Sequence, residues 1–255
     1  MNDTQKKALA AYLVALGDDE LILGHRDSEW TGHAPILEED IAFANLALDE
    51  IGHARLWYEL AADLMGVDAA RFPDQQVYFR PVADFRCVQL VELPKGDWAF
   101  SMLRQYLFDA FEQHRLEGLV ESTYQPLADV AARIRTEELY HLRHTRAWIP
   151  RLGGGTEESR ARMQAALDEL WPYAQALGAQ LPSEIELLEA SLAPGSSLLF
   201  DSWGSEVTAF LKEAGLEVPV TDSNVEADRA VHSEYFPALI ADLQEVAQLD
   251  PEAQW

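Results

Sequence analysis

Cysteine is nearly absent from the 255-residue chain, which contains only Cys87. One thiol cannot build a disulfide framework or a thiolate metal cluster, so both are excluded. The sequence also has no run of about 18 apolar residues, the length that a transmembrane helix requires. The first residues lead directly into an amphipathic helical pattern, without the apolar block of a signal peptide. We therefore expect a cytoplasmic protein that is not inserted into a membrane.

Basic residues are scarce as well. The chain has 19 lysines and arginines against 44 aspartates and glutamates, a formal net charge of −25. Binding to a nucleic acid or an anionic membrane requires a basic face, so we expect neither as a partner. The sequence also lacks the Gly-x-Gly-x-x-Gly and Walker-type loops of the common nucleotide-binding folds. This excludes nucleotide chemistry that depends on such loops.

Two Glu-x-x-His motifs are the most informative features that the sequence does contain. They are Glu50–His53 and Glu138–His141. Residues three apart project from the same side of a helix, so both side chains of a motif reach one point. A carboxylate with an imidazole favours iron or manganese over calcium or magnesium. One such motif is common, but two of them, with one carboxylate from each of two further helices, build the di-metal site of ferritin-like bundles.

Apolar residues spaced by three and four positions mark four helices that can supply this site. Ionisable residues interrupt each apolar stripe, and a lone buried charge would be strongly destabilising. A bound cation removes that cost, so the interruptions together predict two iron ions, with manganese as the alternative. The predicted metal ligands are Glu20, Glu50, His53, Asp109, Glu138 and His141, with Glu112 as the replacement for Asp109.

Three of the candidate ligands also have simpler interpretations, and Glu20 could sit at a bent helix end and reach water. Glu138 could pair with Arg135 or Arg143 on a solvated helix face, and Glu137 could take its place as a ligand. His53 could be a hydrogen-bonded core histidine. The di-metal hypothesis is favoured because all four helices match the bundle pattern together.

The same patterns predict an all-α fold, a ferritin-like four-helix bundle with a long crossover connection and extra C-terminal helices. We expect one domain, with the bundle at 1–153 and the additional helices of 154–255 packed on it or at an interface between subunits. The crossover is expected at 67–96, with 77–79 and 87–93 as candidate extended stretches. Predicted helices span about 4–25, 36–65, 97 onward and 126–153, followed by 156–178, 183–192, 197–214 and 225–248.

One long segment, from Gly32 to Arg55, includes the first Glu-x-x-His motif and resembles the PaaC-type subunits of phenylacetyl-CoA 1,2-epoxidase. The resemblance covers essentially the whole chain. Further matching stretches are Gly17-Asp18, Arg104-Gln-Tyr106, Tyr140 to Trp148, Arg151-Leu-Gly153 and Gln254-Trp255.

The resemblance implies a subunit of a bacterial multicomponent di-iron monooxygenase of phenylacetic acid degradation. That enzyme uses dioxygen and reducing equivalents to epoxidise the ring of phenylacetyl-CoA. The implied partners are a homologous catalytic oxygenase subunit and a reductase, in an oligomeric complex.

PaaC-type subunits are generally regarded as scaffolds, and members can lack metal ligands, whereas this sequence retains six candidates. An oxidoreductase component with an intact di-metal ligand set is therefore the first hypothesis. A non-catalytic structural partner of the catalytic subunit is the alternative. A stand-alone ferritin-like di-metal oxidase or peroxidase is the second alternative.

Overall fold

A computed structural model describes residues 1–220, 225–251 and 253, and every regular element within those ranges is helical. This confirms the all-α prediction. Gln254 and Trp255, the last residues of the resemblance, lie outside the described ranges. The α-helices of the described ranges are α1 (Asp3–Ser28), α2 (Leu37–Met65), α3 (Phe72–Tyr78), α4 (Gln89–Glu92), α5 (Trp98–Val120), α6 (Gln125–Gly153), α7 (Glu157–Ala174), α8 (Glu184–Glu189), α9 (Ser196–Glu213) and α10 (Phe236–Leu249).

The four long helices α1, α2, α5 and α6 form the ferritin-like helical bundle that the sequence predicts. α1 packs along α2, α5 packs along α6, and α2 also contacts α6. Local sequence signals fix the helix ends. Asn2 and Gln5 form a reciprocal capping box at the start of α1, and Asp97 accepts a hydrogen bond from Phe100 N (3.0 Å) at the start of α5. Gly66 ends α2 in the left-handed conformation, with φ of 69°.

The helices after the bundle cover α5. Both α7 and α9 pack against it, so α5 is buried on nearly all sides. The buried Trp203 of α9 donates a hydrogen bond to the carbonyl oxygen of Leu107 (3.1 Å), which fixes α9 on the outer face of α5. The smaller α8 packs on α1, and α10 packs on α3. The side of the bundle formed by α5 is therefore shielded from water.

Two details of the sequence prediction are wrong. The crossover forms no extended strand within the described residues, because Val77 and Tyr78 belong to α3 and 89–92 form α4. The last helix begins at Phe236 rather than at Val225. Side-chain contacts to the bundle hold the segment before it in a non-helical conformation, notably Arg229 to Asp19 (2.6 Å). Pro237 then occupies the first turn of α10, where a proline is tolerated.

No helix of the described part of the chain is both long enough and apolar enough to cross a membrane.

The close packing of α1 on α2 at Gly17 can be tested by substitution. A Cβ at Gly17 would lie 2.6 Å from a ring carbon of Tyr58, which cannot retreat because its hydroxyl donates to Asp18 (2.6 Å). We expect Gly17→Ala to lower the free energy of unfolding by about 1–3 kcal/mol through overpacking. Chemical denaturation of both proteins measures the difference.

Gly52→Ala is the matched control, because a Cβ at this exposed helical position meets nothing within 4 Å. It should stabilise the protein by about 0.5–1 kcal/mol through helix propensity. Equal effects of the two substitutions would contradict the packing argument.

Candidate metal centre

The two Glu-x-x-His motifs face each other across the interior of the bundle, one on α2 and one on α6. His53 Nδ1 lies 3.2 Å from Glu138 Oε1, and His141 Nδ1 lies 3.3 Å from the Oε1 atoms of both Glu50 and Glu138. All four side chains are fully buried. Each motif therefore directs its imidazole towards the carboxylate of the other motif.

The remaining bundle helices each add a buried carboxylate. Glu20 of α1 has its Oε2 atom 3.8 Å from His53 Nδ1, and it joins Glu50, His53 and Glu138 in a group whose ligand atoms all lie within 4.8 Å of one another. Neither Asp109 nor His141 is among these mutually close residues, but Asp109 of α5 is fully buried and shares the side-chain amide of Gln105 with Glu50. The structure thus brings together carboxylates and imidazoles from all four bundle helices.

Many polar atoms of this cluster have no hydrogen-bond partner, although they are buried. Such atoms are rare in folded proteins, because each one loses its hydration without compensation. A metal ion would satisfy them, and a set of oxygen and imidazole nitrogen donors suits iron or manganese. The residues therefore fit a metal. The unpartnered atoms are both carboxylate oxygens of Glu20 and Glu138, Oε2 of Glu50, Oδ2 of Asp109, and Nδ1 of His53 and His141.

A carboxylate from the opposite helix holds the outer nitrogen of each histidine. Glu137 Oε2 lies 2.8 Å from His53 Nε2, and Asp49 Oδ2 lies 3.3 Å from His141 Nε2. Metal-binding histidines are commonly oriented in this way by a carboxylate on the other ring nitrogen. Glu137 consequently does not compete with Glu138, because it faces the outside of the cluster. Sequence reasoning missed its role, although an acidic residue directly precedes both Glu-x-x-His motifs.

Gln105 is a second residue that sequence reasoning missed. Its side-chain amide donates to Glu50 Oε1 (2.7 Å) and to Asp109 Oδ1 (2.8 Å), and so connects α5 with α2 at the cluster. The available signal was its position four residues before Asp109, on the same helix face. Glu112, the fallback for Asp109, forms an ion pair with Arg115 instead (2.5 Å).

Burial and mutual repulsion shift the ionisation of the cluster. Burial raises the pKa values of Glu20 and Asp109 well above their usual range, and the negative charges of Glu50 and Glu138 raise them further. For His141, burial favours the neutral ring, but the contacts with Glu138, Asp49 and Glu50 dominate and raise its pKa well above the usual value. Protons thus replace part of the positive charge that a metal would supply.

We expect the metal-free protein to lose stability as the pH rises from about 5 to about 8. Glu20 and Asp109 keep protons in the folded state that the unfolded state releases at low pH, and burial raises the pKa values of Asp27 and Glu112 to about 7. Over this range the unfolded state binds fewer protons than the folded state, so the free energy of unfolding falls as the pH rises. The raised pKa of His141 acts in the same direction at pH values above the usual pKa of a histidine.

Denaturant unfolding at several pH values in the presence of a chelator measures this dependence. Glu20→Gln removes one of the responsible groups and should reduce the loss. Stability that is constant or rises over the range would contradict the assignment.

The comparisons with known proteins agree with the resemblance seen in the sequence. All residues from 1 to 255 match the family model described as phenylacetic acid catabolic protein. The chain is also similar to a 1,2-phenylacetyl-CoA epoxidase subunit of Escherichia coli (strain K12). The two sequences are 36% identical over 248 residues, which span 97% of this chain and 99% of the relative. Together with the helical bundle, these matches show that the chain belongs to the phenylacetic acid catabolic protein family.

Proposed function

We propose that this protein is a subunit of a phenylacetyl-CoA ring-1,2-epoxidase of phenylacetate catabolism, and that it carries a di-metal centre. The Escherichia coli relative is named as a subunit of such an epoxidase, and the family description gives the same catabolic context. The observation that carries the metal part is the buried cluster on α1, α2, α5 and α6, whose inward-facing oxygen and nitrogen atoms lack hydrogen-bond partners. The proposed location is the cytoplasm, and the proposed domain is the single unit 1–255.

The proposed centre holds two iron ions, with manganese as the alternative. Glu50 and Glu138 would help to hold both ions: Glu50 directs Oε1 to His141 (3.3 Å) and Oε2 to His53 (3.8 Å), while Glu138 Oε1 contacts both rings. Glu20 with His53 would complete the ligands of one ion, and Asp109 with His141 would complete those of the other. Asp109 is preferred over Glu112 because Glu112 is paired with an arginine.

The residues around the centre hold and orient the ligands. Asp49 and Glu137 fix the two imidazoles with their Nδ1 atoms directed inward. Gln105 fixes one oxygen each of Glu50 and Asp109. The full burial of the ligands excludes bulk water. Ferrous iron held by these residues would supply electrons for the reduction of dioxygen that ring epoxidation requires.

The intact ligand set favours this function over a purely structural partner of the catalytic subunit. The similarity to an epoxidase subunit favours both over a stand-alone oxidase or peroxidase. If the protein is only a structural partner, a variant without the metal ligands should still support the activity of the complex, because only the surface of the protein would matter.

The ligand assignment predicts the metal content of the protein. Wild-type protein reconstituted anaerobically with ferrous iron should retain close to two ions per chain, measured by elemental analysis after gel filtration. Glu50→Ala combined with His141→Ala should abolish binding, since it removes a bridging carboxylate and an imidazole. The control Glu117→Gln removes an exposed carboxylate of α5 and should bind as wild type. A wild-type protein that folds but retains no iron would show that the assignment is wrong.

The orienting role of Glu137 gives a further prediction. Glu137→Ala removes the carboxylate that holds His53, without removing a proposed ligand. Loss of such a partner typically weakens metal affinity by about 10–100-fold. A competition titration with a chelator measures this change. Unchanged affinity would mean that the packing of α2 and α6 alone orients the ring.

The catalytic proposal requires an assay of the whole complex. Oxygen uptake with phenylacetyl-CoA is measured for the protein assembled with a homologous oxygenase subunit and a reductase. The Glu50→Ala and His141→Ala double variant should assemble but lose the oxygen uptake that depends on this subunit. Uptake at the wild-type rate in that complex would support the structural alternative instead.

The outer face of α2 is the proposed contact with the homologous oxygenase subunit. It carries large apolar side chains in a row, with Leu37, Ile41 and Leu48 all more than half exposed. Such exposed apolar patches mark protein interfaces, and this row lies directly opposite the buried face of α2. Leu139 and Tyr140 of the neighbouring α6 are exposed as well. The naming of the relative as one subunit of an enzyme supports a protein partner here.

Leu48→Glu tests this contact, because it places a charge within the row of apolar side chains. We expect the affinity for the homologous oxygenase subunit to fall at least tenfold, about 1.4 kcal/mol, in isothermal titration calorimetry. The control Leu198→Glu changes an equally exposed leucine on α9 and should leave binding unchanged. Equal loss in both variants, or none in either, would place the contact elsewhere.

A further inference from the structure

A second group of metal-ligating side chains lies outside the bundle centre. Cys87 precedes α4, Glu92 ends α4, and His232 lies in the segment before α10. His232 Nδ1 is 2.7 Å from Glu92 Oε1, and Cys87 Sγ is 3.4 Å from the same oxygen. One ligand atom from each of the three residues lies within 4.8 Å of the other two. Residues far apart in the sequence therefore meet with three different donor types.

This group is enclosed by the protein. Cys87 and Glu92 are fully buried, and the side chain of His232 is 8% exposed. Two neighbouring polar atoms, His232 Nε2 and Ser233 Oγ, are buried without a hydrogen-bond partner. The ring of His232 is stacked on Phe236 at 4.1 Å, which limits its rotation. The group is thus held in place, and its polar atoms are only partly satisfied.

The donor set is specific for a class of metal. Zinc binds sulfur, imidazole nitrogen and carboxylate oxygen in small tetrahedral sites, whereas calcium and magnesium take oxygen donors alone. A thiolate and a carboxylate together balance the charge of one Zn²⁺ ion. The sulfur also distinguishes this group from the bundle centre, whose donors are oxygen and nitrogen only.

We propose that Cys87, Glu92 and His232 bind one Zn²⁺ ion, with water as the fourth ligand. The ion would join the crossover connection to the segment that precedes α10. Further attachments of that segment include Arg229 to Asp19 (2.6 Å) and Gln89 Nε2 to the carbonyl oxygen of Val231 (2.9 Å). The exposed neighbours Val231 and Glu234 place the group close to solvent, so an ion can enter.

The competing explanation is a metal-free hydrogen-bond network. In it, Glu92 accepts hydrogen bonds from His232, from the backbone N–H of Ser233 (2.6 Å) and from the Cys87 thiol. Burial raises the pKa of this thiol well above its usual value, so a metal has to displace its proton. Spectroscopy of the intact protein separates the two explanations.

Cobalt titration of the full-length protein in a thiol-free buffer is the test. Because Cys87 is the only cysteine, a sulfur-to-cobalt charge-transfer band in the near ultraviolet can arise only at this group. In the Glu50→Ala and His141→Ala double variant, whose bundle centre should bind no metal, we expect the band to saturate at one Co²⁺ per chain and to disappear when Zn²⁺ is added. Cys87→Ser and His232→Ala should both lose the band. The control His141→Ala alters the bundle centre and should retain it.

Circular dichroism first establishes that each variant is folded. If a variant fails to fold, zinc-edge X-ray absorption of the wild-type protein distinguishes the zinc site from the hydrogen-bond network. The zinc site predicts one sulfur ligand at a Zn–S distance of about 2.3 Å. Cobalt that binds without a thiolate band, or a zinc spectrum without a sulfur ligand, would overturn the proposal and leave the hydrogen-bond network. A band that persists in His232→Ala would also overturn the three-residue site.

Discussion

The burial of several carboxylates side by side, between four helices, is the constraint on which the rest of the structure depends. Glu20, Glu50, Asp109 and Glu138 lie in the interior of the bundle, and the imidazoles of His53 and His141 are the basic groups that contact them among the ion pairs of the described ranges. Without compensating positive charge, such a group opposes folding strongly. Protons supply part of the compensation in the metal-free protein, and a metal pair would supply the rest. The cluster therefore links the stability of the bundle to its chemistry.

Other buried carboxylates of the same helices show what ordinary compensation looks like. Asp18 pairs with Arg80, Asp27 with Arg104, and Glu112 with Arg115. In each case an arginine from the chain itself approaches the acid. No arginine approaches the four carboxylates of the centre among the ion pairs of the described residues. This difference, rather than the acidity of the protein, distinguishes the candidate centre from structural ion pairs.

Periodicity made the bundle and the positions of the candidate ligands predictable. The spacing of apolar residues predicted the four helices, and the ionisable residues that interrupt those stripes are the ones that meet in the interior. Glu137 and Gln105 were harder to assign, because their roles depend on which helices become neighbours. The segment before α10 was wrongly predicted as helix, because a local sequence pattern does not show long-range contacts such as the one between Arg229 and Asp19. Local sequence signals determine where helices form, whereas long-range polar contacts can be assigned only when the assembled fold is known.

Family membership and the candidate centre together define the functional question. The relative in Escherichia coli is a named subunit of a phenylacetyl-CoA epoxidase. The resemblance associates this subunit type with a scaffold, yet this chain places a complete set of candidate ligands in its interior. A chain that served only as a surface for the catalytic subunit would gain nothing from a group of buried carboxylates that no arginine approaches among the ion pairs of the described residues. The proposed metal pair gives those residues a physical reason to be there.

Anomalous X-ray diffraction from crystals of the protein, loaded anaerobically with ferrous iron, tests this central claim most directly. The account predicts two iron peaks between α1, α2, α5 and α6, with Glu50 and Glu138 as ligands of both. A cluster without iron, in protein that is otherwise folded as described, would contradict it.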